Sequence, residues 1–365
     1  MGKKRVIVAM SGGVDSSTAA ALLVREGYEV IGVTMRLWTV EQPELPLHHR
    51  RCCSVEDIDD ARSVCQHLGI PHYVLSFERE FGAQVVDYFV AEYGRGRTPN
   101  PCLACNQHVK FRPLLAKARA LGADHLATGH YARIVRNGHY ELWRARDPRK
   151  DQSYVLYMLG QEELSHTLFP LGEYTKEEVR ELARSLDLPV ADKPDSEEVC
   201  FVTQPDYRSF LAERLPQKPG EIVDRRGHVL GYHSGISGFT IGQRHGLGIA
   251  QGVPLYVTSI DAEHNRVVVG GREELYRTSL WAEELHFVAG PPEGAIMVEA
   301  KVRYRSPATP ARLKLEGGRA QVRFLEPQRA VAPGQAVVFY QGEKVLGGGI
   351  IGGAISENGT RGNEV

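Results

Sequence analysis

Ser11-Gly-Gly-Val-Asp-Ser-Ser17 gathers two glycines, a carboxylate and three hydroxyls. It follows the β-branched run Lys4-Arg-Val-Ile-Val-Ala9 and leads into a helical run, Ser17–Glu26, that stops at Gly27. Strand, glycine turn and helix start together suit an anion. Gly12 and Gly13 permit positive φ and close backbone approach. The first helical turn offers N–H groups without an intrahelical partner and the positive end of the helix dipole. Asp15, Ser16 and Ser17 are candidates to cap the helix or to offer hydroxyls to phosphate oxygens. The loop has no Gly-Lys-Ser/Thr ending and no G-x-G-x-x-G spacing, so it is neither a Walker loop nor a dinucleotide fingerprint. The bland alternative is an ordinary Gly-Gly turn before a buried helix.

The second chemical feature is sulfur. The chain has six cysteines, at 52, 53, 65, 102, 105 and 200, and none in its last 165 residues (365 − 200). That bias points to thiol or metal chemistry rather than a disulfide scaffold. Thr98-Pro-Asn-Pro-Cys102-Leu-Ala-Cys105-Asn106 reads as a proline-stiffened CxxC loop opening towards a helix near Phe111. A helix N-terminus lowers a thiol pKa, which predicts reactive thiolates here. Cys200 lies in a separate loop, Lys193-Pro-Asp-Ser-Glu-Glu-Val-Cys-Phe201. Three thiols from two loops allow persulfide chemistry, in which one cysteine carries sulfur and another attacks it. They also allow an iron–sulfur site with three thiolate ligands, mere packing, or a structural zinc with His108 as fourth ligand. Cys52, Cys53 and Cys65 read as small buried hydrophobes. His48-His49-Arg50-Arg51 reads as a solvated basic loop.

The elements that must position these groups alternate strand and helix through the first half. Strands are expected at 6–10, 29–35, 72–76 and 125–128, and helices near 16–26, 54–68, 81–93, 111–121, 177–186 and 207–214, with Ser54 capping the second. This is the pattern of an α/β, doubly wound parallel sheet. Ligands of such sheets sit beyond the strand carboxyl ends, so the loops after Met10, Met35 and Thr128 should meet at one crevice. After a linker at 215–220 the pattern becomes short β runs divided by glycines, predicting a small central β domain and a C-terminal β-barrel. The expected domains are 1–214, 215–282 and 283–356, with a tail at 357–365.

The chain has 365 residues, 42% of them hydrophobic, and a formal net charge of −1. It therefore lacks a global basic signature, and nucleic-acid contact must come from local patches. The run between Lys301 and Arg329 (Lys301, Arg303, Arg305, Arg312, Lys314, Arg319, Arg323, Arg329) is one such patch. No apolar stretch reaches the ~18 residues of a membrane span, and no signal peptide is evident. The expectation is a cytoplasmic protein without membrane contact.

The glycine segment resembles the PP-loop of the ATP pyrophosphatases. With Thr98–Asn106, Ala127-Thr-Gly-His-Tyr-Ala-Arg133, Lys150-Asp-Gln-Ser-Tyr154, Asp195–Phe201, Phe239–Gly248, Val302-Arg-Tyr-Arg305, Pro333-Gly-Gln335 and Leu346–Gly349, it resembles the tRNA-specific 2-thiouridylase family. The likeness runs from Val6 to Gly353. It implies a PP-loop domain, a central β domain and a C-terminal barrel. It also implies ATP-dependent sulfuration of carbon 2 of the wobble uridine, position 34, in the tRNAs for lysine, glutamate and glutamine. The implied ATP contacts are Ala9, Met10, Ser11, Gly12, Gly13, Val14, Asp15, Ser16, Met35 and Gly129. The implied nucleophile is Cys105, and Cys200 is the implied persulfide carrier. Target-base contacts fall on Asn100, Pro101 and Cys102. Other tRNA contacts fall on His130, Lys150, Asp151, Gln152, Tyr304, Arg305 and Gln335. ATP with Mg²⁺ and a sulfur donor, a cysteine desulfurase or sulfur-relay protein, are the implied reactants and partners.

One departure matters. Many family members carry Asp where this chain has Cys102. The thiol either titrates near neutrality in that place, or joins Cys105 and Cys200 as ligands of a [4Fe-4S] cluster; no metal ligand is otherwise assigned. His245 and Ser306 replace an expected lysine and glutamine and read as peripheral changes. Two alternatives use the same loop: another PP-loop synthetase consuming ammonia, and a non-catalytic tRNA-binding module.

Overall fold

The computed structural model describes residues 2–38, 55–195, 199–202, 206–249 and 252–354. The expected Ser54 cap, Cys52, Cys53, the basic segment 48–51 and the tail from 357 lie outside the described residues. The chain divides into two compact units, Met1–Val86 with Cys102–Thr203 and Glu343–Leu346, and Asp87–Pro101 with Gln204–Gly342 and Gly347–Val365.

The first unit is built on five parallel strands: β1 (Arg5–Ala9), β2 (Glu29–Arg36), β3 (His72–Ser76), β4 (His125–Ala127) and, beyond a hairpin, β7 (Thr167–Leu168), ordered β3-β2-β1-β4-β7. Val6, Ile7 and Val8 of the central strand are at most 1% exposed. A strand covered on both faces must be apolar throughout, which explains this uninterrupted run. Helix α1 (Val14–Arg25) packs Ala20, Ala21 and Leu23 into the core with Val64 and Cys65 of α2 (Val55–His67). The chain winds from β1 to β2 on one side and pairs β4 on the other, so the order reverses at β1. The loops leaving β1 and β4 therefore emerge side by side, where α/β sheets bind ligands.

Three features differ from the pattern expected from sequence. The CxxC lies on a helix, Pro101–Cys105, rather than in a loop. Proline at the first helical position is pre-set in φ and has no N–H to waste. This helix runs into a π-helical stretch, Asn106–Leu114, and then Leu115–Ala120. Pro113 lies inside it. A proline removes an N–H and crowds the preceding turn, and a widened turn relieves both. The helix expected at 81–93 is likewise broken into Glu78–Phe81, a π segment Gly82–Val86, and Asp87–Gly94. Finally, β5 (Arg133–Asn137) and β6 (His139–Trp143) form an unanticipated antiparallel hairpin across Gly138, and Lys344 and Val345 pair with Trp143 and Leu142. The Asn137-Gly138 turn was its sequence signal.

The second unit holds two β structures. Strands β8 (Gly220–Val223), β9 (Val229–His233), β10 (Tyr256–Asp261) and β11 (Arg266–Gly270) form a sheet ordered β10-β11-β8-β9, with one parallel pairing, β11 to β8. Ile222, Phe239, Val257 and Val267 fill its core. Strands β12 (Tyr276–Phe287), β13 (Ala295–Lys301), β14 (Thr309–Glu316), β15 (Arg319–Arg329), β16 (Ala336–Gln341) and β17 (Lys344–Ala354) run β12-β15-β14-β13-β16-β17, and β17 returns to β12 to close the barrel. Along β14, Ala311 and Leu313 point inward and Arg312 and Lys314 outward, the period-2 signature of a one-face core. Among the described residues no helix is long and apolar enough to cross a membrane.

Candidate functional site

The glycine loop is stitched to itself. Gly13 is the N-cap of α1, and no side chain caps it. The Ser16 and Ser17 hydroxyls donate to the Gly13 carbonyl at 3.2 and 2.8 Å, and Ser16 Oγ accepts the Ser11 N–H at 3.1 Å. The expected capping by Asp15, Ser16 or Ser17 therefore does not occur, because each side chain has a nearer task. Gly12 has φ +71° and lies against the Asp57 carbonyl, leaving no space for a Cβ. Gly129, leaving β4, lies flush against α1: an added Cβ would sit 2.7 Å from the Ser16 nitrogen. Met10 hydrogen-bonds through its N–H to the Val33 carbonyl at 2.8 Å. Met35 is buried at the carboxyl end of β2. Ala9 to Ser16, Met35 and Gly129 thus gather at the carboxyl ends of β1, β2 and β4. Small residues and backbone N–H groups there form a cradle beside a helix N-terminus, an arrangement that suits an anion.

A cluster of charges that sequence reasoning missed surrounds this cradle. Asp15 accepts from Tyr131 Oη and from Lys176 Nζ, both at 2.7 Å. Lys176 also reaches Asp195 at 2.9 Å. Asp195 is further held by Lys150 at 2.7 Å and Arg180 at 2.8 Å. Burial alone would raise the Asp195 pKa, but hydrogen bonds from Lys150 and Lys176 outweigh it and hold the carboxyl down at about 2. Burial, and then Asp15, push the Tyr131 hydroxyl up, so it stays a donor. On the loop's other side Lys193 donates to the Gly12 carbonyl at 3.1 Å and pairs with Asp57 at 2.7 Å and Asp60 at 2.6 Å. These partners are scattered along the sequence, from Asp15 to Asp195, and only the spacing Lys193-Pro-Asp195 hinted at them.

The three thiols belong to the same unit. Cys102 and Cys105 are three apart on one short helix, which puts them on one face. Cys105 is buried, and Cys102 and Cys200 are exposed. Although part of residue Cys102 reaches the surface, desolvation of its thiol raises the pKa above the ordinary 9.0; nearby Cys200 adds to this, and Lys110 opposes it. The expected helix-driven lowering is thus overturned for Cys102, where desolvation dominates, and it remains a thiol at neutral pH. Next to Cys200, Phe201 is buried edge-on against Phe81 at 5.8 Å. Asn106, directly after Cys105, donates through Nδ2 to the Val155 carbonyl at 2.8 Å, while its buried Oδ1 has no hydrogen-bond partner. Cys65 is buried and pushed up to about 11, as an inert core thiol should be. Among the described residues no group of three or more His, Cys, Asp or Glu is arranged to hold a metal ion.

The remaining expected contacts divide by role. His130 is wedged between Phe111 and Phe169, with Nδ1 2.7 Å from the Thr128 hydroxyl. Burial, and then Lys110, hold its pKa well below 6.5, so the ring is neutral and offers stacking rather than charge. Asp151 is buried and spends its oxygens on Ala145 N, Ser153 N and Ser153 Oγ. Gln152 Oε1 accepts the Tyr131 N–H. In the second unit Tyr304 and Arg305 lie in the turn after β13, with Lys301 5.7 Å over the Tyr304 ring. Gln335 donates to the Thr98 carbonyl at 2.8 Å and the Pro99 carbonyl at 3.4 Å, just before Asn100 and Pro101. Arg312 and Arg323 are exposed directly opposite each other on β14 and β15. By contrast Arg303 is used internally, donating to the Ile241 and Ala330 carbonyls, and Arg319 stacks 4.5 Å over Trp281.

Residues 4–204 match the family described as tRNA methyl transferase HUP domain, residues 208–271 its PRC-barrel domain, and residues 277–351 the aminomethyltransferase beta-barrel domain. The tRNA-specific 2-thiouridylase MnmA of Moorella thermoacetica is 54% identical over 352 residues, spanning 94% of this chain and 98% of that protein. The protein of the same name from Geobacter metallireducens is 53% identical over 362 residues, 97% of this chain and 98% of its own. That from Carboxydothermus hydrogenoformans is 52% identical over 359 residues, 96% and 98% respectively.

Proposed function

The chain belongs to the tRNA-specific 2-thiouridylase family, and on that premise we propose that it replaces the carbon-2 oxygen of the wobble uridine of tRNA with sulfur, at the expense of ATP. The observation that carries this reading is the placement of Cys102, Cys105 and Cys200 in one unit with a glycine cradle at a helix N-terminus. The cradle suits a nucleotide's phosphates, and the thiols suit sulfur transfer. A methyl transfer would leave both unused.

Uracil is a poor electrophile, and its oxygen a poor leaving group. ATP enters as its Mg²⁺ complex. The uracil O2 attacks the α-phosphorus, the α–β bond breaks, and pyrophosphate leaves towards the N–H donors of the cradle. Cys200 carries a persulfide, Cys–S–SH, supplied by a sulfur donor such as a cysteine desulfurase or relay protein. Its terminal sulfur attacks carbon 2, and AMP leaves with the original oxygen. The Cys105 thiolate then attacks the Cys200 sulfur; the old S–S bond breaks with its electron pair staying on the sulfur bound to carbon 2, leaving the thiocarbonyl and a Cys105–Cys200 disulfide. A thiol reductant supplies two electrons to reopen it. Asn100, Pro101 and Cys102 contact the base, which must leave its stack to reach them. Cys102 acts there as a protonated thiol, a donor towards the uracil oxygen. The tRNAs for lysine, glutamate and glutamine are the acceptors, with Lys150, His130, Tyr304 and Arg305 among the contacts.

Cys105→Ser and Cys200→Ser test the route. Each is expected to abolish 2-thiouridine while leaving tRNA-dependent pyrophosphate release, and neither variant should form the interthiol disulfide. Wild-type yield of thiouridine from either variant overturns the persulfide mechanism.

A further inference from the structure

The cradle lacks a lysine of its own, yet an anion as highly charged as pyrophosphate leaves from it. Two lysines stand beside it, and charge decides between them. Lys193 faces two carboxylates, Asp57 and Asp60, so that one cation meets two anions. Lys176 belongs to a group of three cations (Lys150, Lys176, Arg180) against two carboxylates (Asp15, Asp195). The second group holds one more cation than carboxylates among the described residues, positive charge that a phosphate can use.

Lys176 is also built into place. It follows Thr175, the N-cap of the helix Lys176–Ser185, whose capping box with Glu178 fixes the first turn. Its N–H donates to the buried Asp147 at 3.0 Å. Its side chain is 8% exposed, and its ammonium lies 2.7 Å from Asp15 in the first turn of α1. Asp195 holds it from the opposite side, and is itself fixed by Arg180, which also grips the Ala191 and Lys193 carbonyls at 3.1 Å. A long, flexible side chain is thereby held with little rotamer freedom left to lose on binding.

We propose that Lys176 is the cation that takes the β and γ phosphates of the nucleotide at the glycine loop, with Asp195 as its positioning residue. This rests on the reading of the loop as an ATP site. An ammonium held in a partly desolvated site interacts with a phosphate far more strongly than one in water. It contributes nothing to the α-phosphate or the adenosine, which gives the test its contrast.

Calorimetry with α,β-methylene-ATP and Mg²⁺, and separately with AMP, reads that contrast. Lys176→Met is expected to weaken the triphosphate analogue by roughly 10- to 100-fold, the range of a charge-assisted hydrogen bond, with AMP affinity unchanged. Lys176→Arg should restore part of it. Asp195→Asn, which keeps shape but frees the ammonium, should weaken the analogue by about tenfold, again without changing AMP. Should Lys176→Met fail to fold, Asp195→Asn carries the same comparison. Parallel loss of both ligands, or no loss of either, overturns the assignment. If the wild type binds neither ligand, it is the ATP reading of the loop that fails.

Discussion

At the scale of single residues, the site depends on what is small and what is neutral. Gly129 lies so close to Asp15 and Ser16 that one methyl group must displace the start of α1. Gly129→Ala should therefore lower the melting temperature and, in the folded variant, weaken α,β-methylene-ATP at least about tenfold; calorimetry on the folded variant showing unchanged affinity contradicts the cradle. His130 is one residue that makes stability depend on pH. Its folded pKa lies below the 6.5 of the free ring because burial, and then Lys110, disfavour the charge. The unfolded chain thus takes up a proton that the folded one refuses. The stability held by the neutral ring is complete above pH 6.5 and is lost below it, by up to ~1.4 kcal/mol per pH unit. His130→Asn should flatten the wild-type fall in unfolding free energy between pH 6.5 and 4.5. An unchanged slope would mean that the folded ring already accepts the proton.

At the scale of elements, most of the sheet was legible and most of the site was not. The strand at 29–35 announces itself because an inner parallel strand is apolar along most of its length, the edge strand at 72–76 by its Tyr-Val-Leu run, although Tyr73 and Val74 are exposed, and Gly12 and Gly13 because an anion loop requires them. Period and composition carry such local demands. The helix Pro101–Cys105 is hidden in the sequence because Pro99 and Pro101 together suggest a loop, although Pro101 opens the helix. Lys176 was invisible because its meaning lies in Asp15 and Asp195, far away in sequence. Gln335 shows the same limit. Its type suggests a polar contact for a ligand, yet its amide ties down the Thr98 and Pro99 carbonyls just ahead of Asn100 and Pro101. Gln335→Leu should cost ~1 kcal/mol of stability, the net value of such bonds. It should also lower kcat for thiolation while leaving AMP affinity intact. Thermal unfolding and steady-state rates check this, and an unchanged kcat would return Gln335 to the rim.

At the scale of the molecule, a net charge of −1 gives no general attraction for a polyanion. The chain meets this with local charge. Arg312 and Arg323 stand opposite each other on the barrel, an arrangement that is unfavourable alone and is relieved by a phosphate. Net positive charge also gathers around Asp195 in the first unit. The proposed function joins cleavage of ATP between its α and β phosphates to sulfur placement on tRNA. The direct measurement is nucleoside mass spectrometry of an unmodified tRNA transcript after incubation with ATP and a persulfide donor, with AMP and pyrophosphate counted alongside. The expected product is 2-thiouridine at position 34, with one AMP and one pyrophosphate for each sulfur placed. A methylated nucleoside, or AMP formed with ammonia and no tRNA, would contradict it.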